Sequence, residues 1–411
     1  MSGVQTGQAA RQMRNTLLRT KAAMRSAAQP LLRTVERLRW SSHYTRPHGN
    51  LDLNTHIREA AEWLVRAQDT GSDRGVAWGA HFGSDFEPSY PETTGYIICT
   101  FLRLAEILQE PEYGARAQVM GEWEAAVQME CGAVMAGKLS SRPTPAIFNT
   151  GQVLLGWAAL IRQRRAEVFL GPAQRAADWM LALQEPDGNW VRGNSPYAVA
   201  GSTIYNVKAA WGLAEYAAVA RRADALQAAI RNGEFALRHQ APNGWFANCC
   251  LTDAQHPLLH TLAYSMQGLL GLGKLAQRPD FIAAAKRTAD SLLQVMAPDG
   301  FIPGRLDAGL RGTVRWACLT GTAQTAIVWF QLYELTGEER YLAAARLANR
   351  YLMARHDISN PNPVIRGALA GSWPVWGDYG RLMVLNWATK FLLDSLLCDL
   401  SLANNRVALV Q

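Results

Sequence analysis

Apolar and polar positions alternate along this chain in two registers. Segments such as Phe281 to Met296 place Phe281, Ile282, Ala285, Ala289, Leu292, Leu293 and Met296 on one stripe. Lys286, Arg287 and Asp290 fall off that stripe, the mark of a helix with one buried face. Segments such as Leu319 to Leu335 carry no charge before Glu334, so a helix there must be buried nearly all round. The two types alternate six times. Half-buried helices are expected near 55–69, 111–130, 168–184, 223–240, 280–296 and 338–355. Fully buried ones are expected near 92–109, 149–163, 202–220, 259–277, 319–336 and 386–400.

A repeated local motif supports the period. Pro186, Pro242 and Pro298 are evenly spaced, and each begins a Pro-Asp/Asn-Gly turn after a half-buried segment. Repetition at this length signals paired helices. The expected fold is all-α, an (α/α)6 toroid of six helical hairpins over residues 51–405, with a basic extension at 1–50. An open stack is the alternative, but it needs polar end caps.

Links from a buried helix to the next half-buried one are very short, and the reverse links are long. Connections of that length are uncommon unless functional. A toroid gathers all six long loops at the end where the buried helices start, with their positive poles and unpaired N–H groups. That end is the expected site.

Charge narrows the partners. The net charge is +7, yet residues 1–47 hold Arg11, Arg14, Arg19, Lys21, Arg25, Arg33, Arg37, Arg39 and Arg46 against the single acid Glu36. The excess belongs to this segment, so the body carries no electrostatic footprint for nucleic acid. The segment suits either a solvated extension or peripheral contact with an anionic membrane. There is no spanning run and no secretory leader pattern, which places the expected location in the cytoplasm. The six cysteines include no CxxC pair, and Cys249-Cys250 with His256 and His260 match no zinc spacing, so no metal or cofactor is expected.

The long loops are rich in flat rings: Trp78, Phe82, Phe86, Tyr90, Trp190, Tyr197, Trp245, Phe246, Trp316, Trp373, Trp376 and Tyr379. Such rings stack on pyranose faces or pin the loops to the rim. At the starts of the buried helices stand Glu92, Gln152, Tyr205, His260 and Gln324, together with Thr93, Thr94, Asn149, Thr150, Ser202, Asn206, Thr261, Thr320 and Asn386. The hydroxyl and amide residues are expected as helix N-caps. The first set is expected to project toward the toroid axis, where a hydroxyl-rich ligand partners it.

The stretches "YPETTGYI", "FNTGQVLLGW", "HTLAY", "LTGTAQ" and "GSWPVWGDYG…LNWATKFLLD" resemble the VpsJ-type polysaccharide-biosynthesis proteins of the six-hairpin glycosidase-like superfamily. The resemblance covers roughly residues 50–400. It implies an (α/α)6 fold and a role in handling carbohydrate during bacterial exopolysaccharide biosynthesis, and carries over no catalytic set.

Three chemistries follow from the residues. Glycoside hydrolysis on a polysaccharide or lipid-linked oligosaccharide needs two carboxyls across one bond. Glu92 with Asp378, or Asp85 with Asp378, would supply them from the first and sixth hairpins. A uronate lyase or C5-epimerase needs proton handlers and a carboxylate clamp. His260 and Tyr205 are the proton handlers, and Arg192, Arg305, Arg315 and Arg381 the clamp, helped by Lys208 and Lys390. The third reading is a non-catalytic glycan scaffold. In all three, Trp78, Tyr90, Gln152, Trp190, Trp245, Arg305, Arg315, Gln324, Trp373, Trp376 and Tyr379 are expected to bind the sugar.

Overall fold

Both kinds of segment form helices. The computed structural model describes Gly49 and residues 52–404, so the basic segment 1–47 and its expected membrane contact lie outside the described residues. In chain order the helices are α1 (Leu53–Asp69), α2 (Pro91–Leu108), α3 (Pro111–Val127), α4 (Ile147–Arg164), α5 (Leu170–Leu183), α6 (Val207–Ala220), α7 (Ala223–Arg238), α8 (Leu259–Leu275), α9 (Pro279–Val295), α10 (Leu319–Thr336), α11 (Glu339–Met353) and α12 (Asn386–Ala403). The even-numbered helices are the uncharged segments. Each packs on the next even-numbered helix, and α12 packs back on α2, so they close an inner ring. Each also packs against the outer helix that follows it, and α12 takes α1 as its outer partner. The first helix therefore seals the ring at the last. Trp63 on α1 donates its indole N–H to the Val364 carbonyl at 2.8 Å, and Arg66 donates to the Arg366 carbonyl at 2.6 Å. The architecture is an (α/α)6 toroid, as the periodicity predicts.

Glycines set how closely the inner helices approach. A Cβ on Gly156 of α4 would sit 2.1 Å from the Gly95 carbonyl oxygen on α2. One on Gly212 of α6 would sit 2.0 Å from the Gly151 oxygen on α4. Gly268 on α8 and Gly321 on α10 press on the backbone of the preceding inner helix in the same way. Close contact leaves no space for a side chain, so these positions hold the ring at its small radius.

The Pro-Asp/Asn-Gly turns follow α5, α7 and α9. Their glycines, Gly188, Gly244 and Gly300, have φ near +90°, which an L side chain rarely adopts. A second periodic device joins neighbouring hairpins. Gln184 donates to the Gly188 carbonyl at 3.2 Å and to the Ala228 carbonyl on α7 at 2.8 Å, while Arg231 donates to its Oε1 at 2.7 Å. Gln128 and Gln240 repeat the arrangement with Pro172 and Ala284.

The long loops span residues 70–90, 128–146, 184–206, 239–258, 296–318 and 354–385, all leading into inner helices. They contain short ladders that helical periodicity did not predict. β1 (Gly79–His81) pairs antiparallel with β4 (Met383–Leu385), with Gly79 opposite Leu385 and His81 opposite Met383. β2 (Ala317–Cys318) pairs with β3 (Ser372–Trp373). The first ladder ties the first long loop to the last across the seam of the ring.

The threonines at the inner-helix starts are not N-caps: none of the six inner helices has a side-chain cap hydrogen bond. Thr94 instead accepts from the Val76 N–H at 2.9 Å and donates to the Tyr90 carbonyl at 3.0 Å. Thr150 does the same between Val134 and Ala146, and Thr389 between Leu369 and Leu385. Each sits about one turn inside its helix, where the hydroxyl reaches its own carbonyls and clamps the returning loop.

Candidate functional site

A cavity of about 360 Å³ opens among the long loops over the starts of α2, α4 and α8. Its volume lies at the lower end of the range for small-molecule sites. Of the residues expected at the site, Glu92, Tyr205, His260, Trp78, Tyr90 and Tyr379 line it. Phe148, Asn149, Thr261, Tyr264, Tyr197, Trp387, Lys138 and Ser141 line it with them.

Glu92 lies in the first turn of α2, half-buried, and is the only acid among the described residues of the wall. The Tyr90 hydroxyl donates to its Oε2 at 2.9 Å. That bond favours the carboxylate, but burial dominates and pushes the carboxyl up to about 7. The phenols of Tyr90, Tyr96, Tyr264, Tyr205 and Tyr379 are all raised, first by burial and then in part by the nearby Glu92 charge. They stay protonated, and four of them lie in the wall.

His260 stands on α8, where Gly321 packs on its backbone nitrogen. Its ring packs against Tyr264 and Tyr379, with centroids 4.3 and 5.2 Å away. Nδ1 lies 2.7 Å from Oε1 of Gln324, whose Nε2 donates to Gln267 Oε1 at 3.2 Å. This chain orients the Gln324 amide so that its oxygen accepts from Nδ1–H, leaving Nε2 as the unprotonated nitrogen. Burial lowers the imidazole to about 4, so it is neutral at physiological pH. Gln324 thus serves the site from behind His260, fully buried.

Tyr205 donates its hydroxyl to Asn194 Oδ1 at 2.7 Å, which fixes it as a wall residue. Tyr379 accepts from the Trp387 indole N–H at 2.7 Å. Trp387 meets Trp78 edge-on, with ring centroids 5.3 Å apart. The "GSWPVWGDYG…LNW" stretch thus gives Tyr379 and Trp387 to the cavity. Trp373 is buried, and Trp376 is 53% exposed outside the wall.

Several expected residues are placed elsewhere. Asp378 is outside the wall. Its carboxylate accepts from Arg305 at 2.8 Å, and Arg305 also donates to the His256 carbonyl and to Thr252 Oγ1. The pair braces three long loops at the rim, so Asp378 and Glu92 do not share the cavity. Asp85 is exposed on the first loop. Arg315 and Arg381 are exposed, and Arg192 pairs with Glu185, so none of the four arginines lines the cavity. Trp190 is fully buried and donates to the Met180 carbonyl at 2.9 Å. Trp245 and Gln152 are also buried away from the wall. The two rings pin loops, because the loops are long and need their own small cores, whereas Gln152 donates to the Phe148 carbonyl of its own helix at 3.4 Å. Lys208 and Lys390 lie deeper on the toroid axis, Lys390 paired with Asp394 at 2.5 Å.

Lys138 was not singled out by the sequence. It sits in a long loop just after the buried run Ala133 to Gly137, with no neighbouring charge pattern to mark it, and the fold places it on the wall. Phe148 and Trp387, inner-helix aromatics one residue from Asn149 and Asn386, were legible as part of those starts.

No protein-family model matches the chain, and no curated protein matches it. Solved structures do match. An unsaturated glucuronyl hydrolase specific for heparin superimposes with a TM-score of 0.69 at 14% identity, covering 87% of this chain and 98% of that one. Cellobiose 2-epimerase from Bacillus thermoamylovorans B4167 gives 0.67 at 9% identity, covering 84% and 98%. The unsaturated glucuronyl hydrolase of Bacillus sp. GL1 gives 0.64 at 14%, covering 86% and 97%. At these identities the likeness is one of fold: the chain shares the (α/α)6 toroid with these proteins over 84–87% of its length.

Proposed function

We propose that this chain is a carbohydrate-active enzyme that acts on a terminal sugar, with Glu92 as its proton donor. The observation that carries this reading is a lone carboxyl, pushed to about 7, in an aromatic cavity ringed by phenolic hydroxyls. An acid of that strength holds its proton near neutral pH and still releases it readily. The aromatic walls suit pyranose faces, and the tyrosine hydroxyls suit sugar hydroxyls. The small volume favours a chain end over the middle of a polymer. The fold is shared with a uronyl hydrolase and a sugar epimerase, which supports carbohydrate as the substrate class.

In the hydrolytic reading, Glu92 gives its proton to the oxygen leaving the sugar and becomes a carboxylate. The same carboxylate then takes a proton from the water that attacks the sugar, which restores the acid. Asp378 and Asp85 are not on the wall, so in place of the two-carboxyl arrangement this cycle uses Glu92 twice, first on the leaving oxygen and then on the water that enters from the same face. The Nε2 lone pair of His260 accepts a hydrogen bond from a sugar hydroxyl or from that water. A lyase or epimerase would use His260 to abstract a carbon-bound proton. At about 4 the imidazole is a weak base for that task, which favours the hydrolytic reading.

The resemblance to VpsJ-type proteins supports a place in bacterial exopolysaccharide biosynthesis, on a polysaccharide or lipid-linked oligosaccharide. No described helix is long and apolar enough to cross a membrane.

The test is turnover of a panel of short neutral and acidic oligosaccharides by the wild type and Glu92→Gln. The reading expects loss of at least about a hundredfold in kcat for the variant, with its circular dichroism unchanged. Binding of sugars without turnover by the wild type would favour a glycan scaffold instead.

A further inference from the structure

We propose that Lys138 makes the cavity selective for a sugar bearing a carboxylate, a deepening that rests on the carbohydrate reading above. Solved proteins of this fold are named for a uronyl sugar and for cellobiose, so the fold leaves acidic and neutral sugars equally open. The wall decides between them.

Lys138 is the only lysine or arginine among the described residues lining the cavity. It belongs to the loop from α3 to α4. Its Nζ donates to Glu87 Oε2 at 2.8 Å and lies 5.4 Å from the centre of the Trp78 ring. The other Glu87 oxygen is 3.9 Å from Nε2 of His81. Glu87 and His81 are outside the wall, so the ammonium is shared between a carboxylate behind it and the cavity in front.

Other donors gather beside it. The Ser141 N–H donates to the Lys138 carbonyl at 2.7 Å, which folds the loop into a turn and sets both side chains on the wall. Gly137 has φ +84°, and a Cβ there would meet the Tyr197 hydroxyl at 2.3 Å and the Ser141 hydroxyl at 3.0 Å. The Tyr197 and Ser141 hydroxyls therefore crowd one point next to Lys138. One ammonium and two hydroxyls match a monoanion carried on a ring, whereas a phosphate dianion asks for more positive charge.

A substrate carboxylate competes with Glu87 for the ammonium, and both side chains are partly exposed, 33% and 24%, so water reaches Glu87 when it yields its partner. The incoming charge also acts on Glu92. A second negative charge in the cavity disfavours ionisation of that carboxyl, so an acidic sugar helps the acid keep its proton.

The experiment compares methyl glucuronide with methyl glucoside by calorimetric or NMR titration of the full chain. We expect glucuronide to bind about tenfold more tightly. Lys138→Met should remove that preference, bringing glucuronide binding to the level of glucoside binding. Glu87→Gln should strengthen glucuronide binding, because the ammonium loses its competing partner, and this gain is one that a merely structural Lys138 would not give. Equal binding of the two sugars by the wild type overturns the selectivity and leaves the carbohydrate reading standing. A preference that survives Lys138→Met also overturns it. If neither sugar binds, the cavity is not a sugar site and both readings fall.

Discussion

The Nδ1–H of His260 donates to Gln324 Oε1 at 2.7 Å, and this one bond decides which imidazole nitrogen carries the lone pair. Gln324 comes from α10 and His260 from α8, so the pairing depends on two adjacent inner helices held close by Gly321. Burial lowers the imidazole to about 4, outweighing the smaller upward effect of this hydrogen bond.

Replacing the amide by a carboxylate changes that balance. In Gln324→Glu the new anion favours the imidazolium, so the His260 pKa rises. The acid limb of the kcat/KM profile should move up by about one pH unit or more. The stability profile has a definite sign. The wild-type His260 is depressed from 6.5, so its contribution is full above about 6.5 and is lost as pH falls toward 4. Thermal melts of Gln324→Glu should lose less stability over that window than the wild type does.

Asp378 gives a contrasting result. Its carboxylate is 66% exposed and braces the rim through Arg305, away from the cavity wall. Asp378→Asn should keep kcat within about threefold of the wild type and cost no more than about 1 kcal/mol of stability. Steady-state kinetics with urea denaturation checks both. A loss as large as that of Glu92→Gln would restore a two-carboxylate mechanism.

The inner ring makes a mechanical prediction. A Cβ on Gly156 or Gly212 would sit 2.1 or 2.0 Å from a backbone oxygen of the neighbouring helix. Such overpacking costs about 1–3 kcal/mol, sometimes more, although alanine is the better helix former. Gly156→Ala and Gly212→Ala should each lower the denaturation midpoint. At Gly171, where the nearest atom to an added Cβ is an arginine terminus 4.0 Å away, alanine should be harmless.

How much of this was legible in the sequence follows from which signals are local. The twelve helices and the alternation of inner and outer faces are written in periodicity, and long loops before inner helices point to one end of the ring. Glu92, His260, Tyr205 and Tyr90 were readable because each sits at or just before an inner-helix start, where chain position alone sets its place, and Trp78 and Tyr379 were readable as rings on the first and last long loops. The partners of those residues were not readable. Asp378 and Glu92 belong to adjacent hairpins, but the Arg305 pair holds Asp378 at the rim, and no sequence pattern records that choice. Trp190 and Trp245 resemble sugar platforms in the sequence, yet long loops need buried anchors and these two serve as such. Lys138 is the opposite case, a residue with no local signal that a turn and a glycine bring to the wall.

The central claim is that Glu92 keeps a proton near neutral pH inside the cavity. The most direct measurement is a carboxyl-carbon NMR titration of the wild-type chain, with the Glu92 resonance identified by its disappearance in Glu92→Gln. A midpoint near 7 is the predicted result. A midpoint near 4.5, the ordinary glutamate value, would contradict it, because the group would then be a carboxylate at working pH with no proton to give.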